Sequence, residues 1–432
     1  MTEPAAQPAP LNEPEPDDGG QPPDERLTLG RAVLDAIIHG NSVVVTVLAI
    51  VAAMVIGGLL IAFTDPVVLA AWGALFSAPG AAIAAAWDSI AAAYSNMFEG
   101  AILNPHTVSA AFHGGSVAAV FNPLSETAVN ATPLIFAGLS VTLAFRAGLF
   151  NIGGTSQFIG GALLATWLGF GVHLPLVIHA IVVLIGAFAG GAALGWIVGA
   201  LKAWTGAHEV IVTIMLNYVM LYFLAYLLSS HSLMEAPGGS NAITLPITSN
   251  AHLPLLAGTH LRINAGFLIA LAAALAVWWL LNRTTTGFEF RSIGANTRAS
   301  RVAGMNVERN WTLVMTISGG LAGLAAASVI LGTDFTLNPQ SYGTYGIDAI
   351  TVALLGLGRP GGVVAAGLLF GALHAGSPGM QVSTGTPVQI VQVIQALIVL
   401  LVAAPPLIRA IYRLRPARVG GISTTMSKGW NS

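Results

Sequence analysis

Long apolar runs separated by short polar segments recur along the chain from residue 43 to residue 408. Each run is a candidate membrane-spanning helix, because about 20 apolar residues cross the hydrocarbon core of a bilayer. Ten runs are predicted, at residues 43–63, 128–147, 149–170, 174–201, 209–230, 265–282, 312–332, 346–357, 361–376 and 388–408. Two of them, 346–357 and 361–376, are short, which indicates either a tight helical hairpin or the interrupted helices of a transporter binding region. The pattern predicts an all-α polytopic membrane protein with about ten transmembrane helices.

Composition supports this prediction. The chain has 432 residues, of which 55% are hydrophobic and only 8% are charged, whereas a soluble domain carries about 25% charged residues. The absence of cysteine excludes disulfides, thiolate metal sites and cysteine nucleophiles. Glycines recur four residues apart within several runs, which predicts closely packed helices. They are Gly186, Gly190, Gly191, Gly195, Gly199, Gly319, Gly323, Gly367 and Gly371.

The basic residues predict the orientation of the chain. If the N-terminus is cytoplasmic, ten crossings place every lysine and arginine except Arg262 on the cytoplasmic side. The positive-inside rule therefore predicts an N-in, C-in topology. Residues 283–309 form the most basic of the loops between runs and offer the largest surface to a cytoplasmic partner. This loop contains Arg283, Arg291, Arg298, Arg301 and Arg309.

The polar segments predict the domain organisation. Residues 1–25 are rich in proline and acids and cannot bury a core, so we expect a disordered tail. Residues 26–42 are predicted to be a cytoplasmic or interfacial segment, 43–408 the transmembrane domain and 409–432 a basic cytoplasmic tail. Residues 64–127 lack lysine and arginine and are predicted to be an extracytoplasmic insert of amphipathic helices. This insert either meets a docking protein or simply connects helices.

Polar side chains inside the predicted membrane need a reason, because burying them in hydrocarbon is costly. Asp348 either complements the N-terminal dipole of its helix or lines a substrate path. Five amide side chains either bond helices together or bind a polar, uncharged solute. They are Asn151, Gln157, Asn217, Gln392 and Gln395. Gln392 and Gln395 are three residues apart and so share one helix face.

Missing motifs exclude several function classes. Neither lysine, Lys202 or Lys428, lies in a phosphate-binding GxxxxGK[ST] loop, so the chain does not bind ATP through a P-loop. The sequence has no HExxH, no GxSxG and no histidine cluster at metal-ligand spacing. We therefore expect no catalytic residues, no metal and no cofactor in this chain. A stand-alone secondary carrier is the alternative, although the membrane segments show no pairs of acids that could couple transport to ions.

Several motifs resemble one family. PLIFAGLSVTLAFRAGLFNIGGTSQFIGGALLA (133–165), GAHEVIVTIMLNYVMLYF (206–223) and RTTTGFEFRSIGANTRASRVAGMNV (283–307) are similar to segments of permease subunits from bacterial ATP-binding-cassette importers for nucleosides and simple sugars. YGIDAITVALLG (345–356), GLLFGAL and VIQALIVLLVAA follow in the order found in this branched-chain amino acid and ribose-type permease family. Residues Gly153–Gln157 depart from the family's GAEGQ because they lack its glutamate. Thr297, Ser300 and Met305 also differ from the commoner residues.

The resemblance implies a working arrangement in the bacterial cell membrane. Two permeases, alike or related, would frame a path for nucleosides or simple sugars. A cytoplasmic ATPase, which would hold the ATP and magnesium, would drive transport, and an extracytoplasmic solute-binding protein would deliver solute. We expect no nucleic-acid polymer among the partners. Within 283–310, a short coupling helix around residues 296–302 would insert into the ATPase, with glycines bending the chain at its ends. The residues that this role implies are Gly294, Asn296, Arg298, Ala299, Arg301 and Gly304. Attraction to anionic lipid headgroups is the other explanation for the arginines.

Overall fold

A computed structural model describes residues 42–73, 76–229, 234–236 and 242–412. Within these ranges the regular structure is helical. The first helices are α1 (Ser42–Thr64), α2 (Pro66–Trp72), α3 (Pro79–Ala101), α4 (Pro105–Phe112), α5 (Val117–Arg146), α6 (Gly154–Gly171), α7 (Leu176–Thr205) and α8 (Glu209–Ser229). The later ones are α9 (Ala265–Arg283), α10 (Thr285–Ala295), α11 (Thr297–Val302), α12 (Val307–Val329), α13 (Tyr345–Leu355), α14 (Pro360–Thr384), α15 (Gln389–Ala403) and α16 (Pro405–Ile411). The predicted tail at 1–25, residues 26–41, and residues 413–432 of the tail predicted at 409–432 lie outside the described residues.

Seven helices in the described part of the chain are long and apolar enough to cross a membrane, and α13 and α15 are shorter apolar helices. The all-helical prediction is therefore confirmed. The prediction that residues 361–376 form a short span is wrong, because α14 has 25 residues. The end of α14, after Gly376, is more polar than the rest, so a search for apolar residues stops before it. α5 likewise begins at Val117 and continues through Pro123 and Pro133.

The basic loop at 283–309 folds into helices because polar side chains cap their N-termini. Thr284 accepts a hydrogen bond from the Gly287 amide and begins α10. Asn296 accepts from the Ala299 amide and begins α11, the short helix predicted around 296–302. Asn306 accepts from the Arg309 amide and begins α12. Such caps satisfy amides that the first helical turn leaves free.

The glycines flanking α11 have different roles. Gly304 adopts the left-handed conformation, at φ 85°, and turns the chain toward α12 as predicted. Gly294 does not bend the chain but lies inside α10, where an added Cβ would overlap the carbonyl oxygen of Arg146. Its role is the close contact between α10 and the turn that ends α5.

The centre of the molecule is built on α5, α7 and α12. Most residues of α5 and α12 are buried, whereas few residues in the most apolar stretches of α8 and α9 are buried, as expected of helices that face lipid. The predicted glycine contacts join α7 to α12. A Cβ on Gly191 would overlap the Gly319 carbonyl oxygen, and one on Gly195 would overlap that of Met315. Backbones that touch in this way gain dispersion contacts along the whole crossing.

Replacing Gly191 with alanine is expected to lower the melting temperature of the purified protein in detergent. The added methyl group must push α7 away from α12, and overpacking of this kind costs about 1–3 kcal/mol. Gly171→Ala is the matched control, because a Cβ there meets no atom within 4 Å. Equal melting temperatures for the two variants would contradict the contact.

Residues 64–127 contain α2, α3, α4 and the start of α5. α3 packs on α1 and α14. The Tyr94 hydroxyl donates to the Met54 carbonyl oxygen at 2.5 Å, and a Cβ on Gly100 would lie 3.1 Å from the Gly376 Cα. The insert is therefore joined to the helical domain.

Basic residues from distant parts of the chain meet at one end of the molecule. Arg146 Nε donates to the Gly358 carbonyl oxygen at 2.7 Å, and Arg146, Arg291 and Arg359 line one cavity. Lys202 lies over the ring of Trp311, at 4.8 Å from its centroid, close to the start of α12. We call this the basic end, and the end that carries Arg262 and Asp334 the opposite end.

Candidate functional site

Two adjoining cavities open toward the opposite end, between α5, α13, α14, α15 and the segment that links α12 to α13. They have volumes of about 330 and 160 Å³. Four residues line both: Asn130, Val329, Asp334 and Tyr345. The larger cavity is also lined by Gln340, Ser341, Thr344, His374 and Gln392. We call the two together the polar cavity.

A break in α12 places Asp334 in the polar cavity. The helix changes to a π-helical turn at Ile330–Asp334 and ends where Phe335 adopts the left-handed conformation at φ 56°. Such π turns are rare and frequently occur at functional sites. The Asp334 carboxylate accepts a hydrogen bond from the Thr333 hydroxyl at 3.0 Å and is otherwise exposed. It can therefore accept further hydrogen bonds from a solute.

The segment after the π turn is held by the loop that precedes α9. The Leu337 amide donates to the Thr244 hydroxyl at 2.9 Å, and the Thr244 amide donates to the Leu337 carbonyl oxygen at 3.0 Å. The Ile247 amide donates to the Phe335 carbonyl oxygen at 2.9 Å. The loop at 242–264 therefore fixes one wall of the polar cavity.

Asp348 and His374 meet beside the larger cavity. The Thr344 hydroxyl donates to Asp348 Oδ2 at 2.5 Å, and His374 Nε2 lies 3.7 Å from the same oxygen. That distance is too long for a hydrogen bond, and Nε2 is buried without a partner in the described structure. Leaving a buried nitrogen without a hydrogen bond costs free energy. A solute or a water molecule that bonded to His374 Nε2 would remove that cost.

Three of the predicted amides bond to protein groups near the start of α6: Asn151 and Gln157 are buried, and Asn217 is half-buried. Asn151 Nδ2 donates to Gln157 Oε1 at 2.9 Å and to Ser318 Oγ at 2.8 Å. Asn217 Oδ1 accepts from the Ser156 amide at 2.9 Å, and its Nδ2 donates to the Ile152 carbonyl oxygen at 3.0 Å. These bonds tie the start of α6 to α8 and α12. The geometry favours the helix-bonding explanation for them over the solute-binding one.

The glutamines of α15 lie differently. Gln392 is exposed and lines the polar cavity. Gln395 is buried, and its Nε2 has no hydrogen-bond partner in the described structure. Of the six predicted pathway residues, the structure therefore places Gln392 in the cavity and Asp348 at its edge.

Replacing Asn151 with leucine is expected to lower the melting temperature of the purified protein. The change leaves Gln157 and the Gly153 amide without their partner, at a cost of about 1–3 kcal/mol for each buried polar group, whereas Ser318 keeps its bonds to Ser140. Asn250→Leu serves as the control, because Asn250 is exposed and makes one bond, to the Leu174 carbonyl oxygen. An unchanged melting temperature for Asn151→Leu would contradict the structural role of these hydrogen bonds and would favour the solute-binding explanation instead.

The short helix α11 presents its cations unevenly. Arg301 donates to Glu308 Oε1 at 2.6 Å, so one of the two arginines of α11 is already in an ion pair. Arg298 is exposed and forms no ion pair within the described ranges. Ala299 donates its amide to the Asn296 cap. The free cation available to a partner on this helix is therefore Arg298.

The polar cavity can bind a solute but shows no means of covalent catalysis. Its lining carries the Asp334 carboxylate, the Arg262 guanidinium, amides and hydroxyls, which can accept and donate hydrogen bonds. The ring of Tyr345, stacked on Phe158 at 5.5 Å, offers an aromatic surface. No group of three or more histidine or acidic side chains in the described part of the chain could hold a metal ion. A polar, uncharged solute with several hydroxyl groups fits this lining best.

Sequence reasoning missed Asn130, Asp334, Gln340, Tyr345 and His374. Asn130 and His374 were detectable as single polar residues within apolar helices. Asp334 and Gln340 follow an apolar run and were assigned to a connecting loop, since no pattern in the sequence marks a π turn.

Comparisons with known proteins agree with the resemblance seen in the sequence. Residues 124–403 match the family described as the permease component of branched-chain amino acid transport systems. The chain is 39% identical to the guanosine ABC transporter permease protein of Bacillus subtilis, over 66% of this chain and 82% of that protein. It is 34% identical to a glucose ABC transporter permease protein of Haloferax volcanii, over 64% of this chain and 75% of that protein. A nucleoside ABC transporter permease protein of Lactococcus lactis is 35% identical over 65% of this chain and 79% of its own length. No solved structure matches the chain significantly.

Proposed function

The chain belongs to the family of permease components of branched-chain amino acid transport systems, and on that premise we propose that it imports nucleosides or related simple sugars. It is a multi-pass membrane protein and the permease subunit of an ATP-binding-cassette transporter. It is not itself an enzyme, since ATP hydrolysis in this family takes place on a separate ATPase. Transport then occurs by alternating access, in which a central site opens to one side of the membrane at a time.

The proposed topology has ten crossings in the bacterial cell membrane, with both termini in the cytoplasm. The basic end then faces the cytoplasm, in accord with the positive-inside rule. Residues 43–408 form the permease domain, 64–127 its extracytoplasmic insert and 283–310 its cytoplasmic coupling loop. The association of Arg146, Lys202, Arg291 and Arg359 at one end supports this orientation.

The substrate proposal rests on one observation, the polar cavity. Its mixture of a carboxylate, amides and hydroxyls matches the hydroxyl groups of a ribose or hexose, and Tyr345 can stack on a base. Relatives that carry guanosine, nucleosides and glucose are consistent with such a lining. The side chain of a branched-chain amino acid would find few apolar partners here. We therefore propose Asn130, Asp334, His374 and Gln392 as solute-binding residues.

The partners follow from where the surfaces lie. Gln392 lines the polar cavity and is exposed, so a second permease, identical or related, would complete the rim there. A solute-binding protein would dock at the opposite end, over the insert and the 242–264 loop. The ATPase, which carries ATP and magnesium, would receive α11.

Competition for uptake tests the substrate class. In cells that express the importer, uptake of labelled guanosine should be reduced by unlabelled nucleosides or by ribose and glucose. Leucine and valine serve as controls and should not compete. Competition by the amino acids alone would overturn the substrate proposal while leaving the permease assignment in place.

A further inference from the structure

Three arginines surround a cavity of about 400 Å³ at the basic end, far from the polar cavity. Arg146, Arg291 and Arg359 come from α5, α10 and the start of α14, and the cavity is also lined by Trp278 and Leu281 of α9. We call it the arginine cavity. Arg146 is held by its bond to the Gly358 carbonyl oxygen, whereas the side chains of Arg291 and Arg359 are exposed. No carboxylate forms an ion pair with any of the three within the described ranges.

Backbone groups add to this positive charge. The N-terminus of α14 lines the same cavity at Pro360, Gly361 and Gly362, and no side chain caps it. Gly361 faces open space, since a Cβ there meets no atom within 4 Å. The amides at a helix N-terminus bind phosphate groups, and guanidinium groups bind them through paired hydrogen bonds. The arginine cavity therefore has the chemistry of a phosphate site.

An apolar groove of about 430 Å³ continues from the arginine cavity. The two share Arg359 and Gly362, and the groove then runs between α1 and α14. Its walls include Val47, Ile50, Ala365 and Leu369. A small soluble anion would make no favourable contacts with such a groove, whereas the acyl chain of a lipid would bury its apolar surface there.

Aromatic residues place the arginine cavity at the membrane surface. Trp278 is about half exposed on the lipid-facing helix α9, and the guanidinium carbon of Arg283 lies 6.0 Å from its ring centroid. Tryptophan is enriched where membrane and water meet. The cavity thus lies at the depth of the lipid headgroups.

We propose that one anionic phospholipid binds here, with its phosphate among the three arginines and an acyl chain in the groove between α1 and α14. The lipid would neutralise a charge cluster that nothing else in the described structure balances. It would also bridge α1, α5, α9, α10 and α14. Since α10 leads directly into α11, the lipid would stabilise the position of α10 within the coupling loop. The inference does not depend on which solute is carried.

Native mass spectrometry of the purified full-length chain in detergent tests the proposal. The chain should retain phosphatidylglycerol about tenfold more strongly than phosphatidylcholine, a ratio expected when one charge-assisted contact is gained. The double variant Arg291→Gln, Arg359→Gln should lose this preference. Arg309→Gln is the matched control, an exposed arginine at the same end that does not line the arginine cavity, and should keep it.

A second variant separates a lipid from a free phosphate. Ala365→Trp fills the apolar groove and should weaken phosphatidylglycerol binding without altering the arginines. Two results would overturn the proposal. One is a preference for phosphatidylglycerol that survives loss of both arginines. The other is binding of soluble glycerol 3-phosphate as strong as that of the lipid, with no effect of Ala365→Trp.

Discussion

Reversing the charge of Arg298, by replacement with glutamate, is expected to reduce solute-stimulated ATP hydrolysis by the assembled importer at least about tenfold. Arg298 is the exposed, unpaired cation of α11, whereas Arg301 is bound to Glu308. If α11 inserts into the ATPase, a glutamate would face the acidic groups that an arginine should meet, and like charges at an interface cost several kcal/mol. Membrane insertion and the melting temperature should stay unchanged, because the side chain is exposed in the permease alone.

Arg309→Glu provides the control for this experiment. It makes the same charge reversal at the start of α12, eight residues beyond Arg301, and should leave most of the stimulated ATP hydrolysis intact. The contact would be refuted by an Arg298→Glu importer that hydrolyses ATP like the wild type while Arg309→Glu is impaired. A loss in both variants accompanied by loss of the ATPase during purification would point to a broader interface than α11.

The second large effect is expected at Asp334, where replacement by asparagine should raise the solute concentration for half-maximal uptake by about 10–100-fold. A hydrogen bond to a charged group contributes about 1.5–3 kcal/mol, and Asp334 is the carboxylate that lines both parts of the polar cavity. Since the side chain is exposed and bonds only to Thr333 among the described contacts, folding should be little affected.

Asp88→Asn is the matched control for Asp334→Asn. Asp88 is an exposed carboxylate on α3 and does not line the polar cavity, so uptake should be unchanged. For both variants, the rate of uptake of labelled guanosine into membrane vesicles is measured as a function of its concentration. If Asp334→Asn transports with wild-type kinetics, the cavity is not the solute path.

Much of the fold follows from local sequence. Apolar runs identify the long helices, and the glycines at four-residue spacing predict close helix packing, although the short helix α11 is predicted only through the family resemblance. The first two features depend on residues that are close in sequence, so the pattern of apolar residues and glycines is sufficient to predict them.

The solute site depends instead on how distant elements meet. Asn151, Gln157 and Asn217 are polar residues in apolar runs, yet they bond to protein groups: Asn151 and Gln157 to each other, Asn151 also to Ser318 on α12, and Asn217 to the backbone at the start of α6. Asn130, Asp334 and His374 look no more distinctive in sequence, but the π turn after α12 places Asp334 in the cavity, and the packing of α5 and α14 brings Asn130 and His374 to it. The length of α14 was missed for a similar reason. The polar end of this helix, after Gly376, is stabilised by packing on α3, which the local sequence does not show.

Reconstitution in liposomes tests the central claim most directly. The purified permease would be placed in vesicles alone, or together with its ATPase and solute-binding protein, and uptake of labelled nucleosides and simple sugars would be followed with and without ATP. The account predicts uptake only in the complete assembly and only with ATP. Uptake of the same size by this chain alone, without ATP, would contradict it and would identify a self-sufficient carrier.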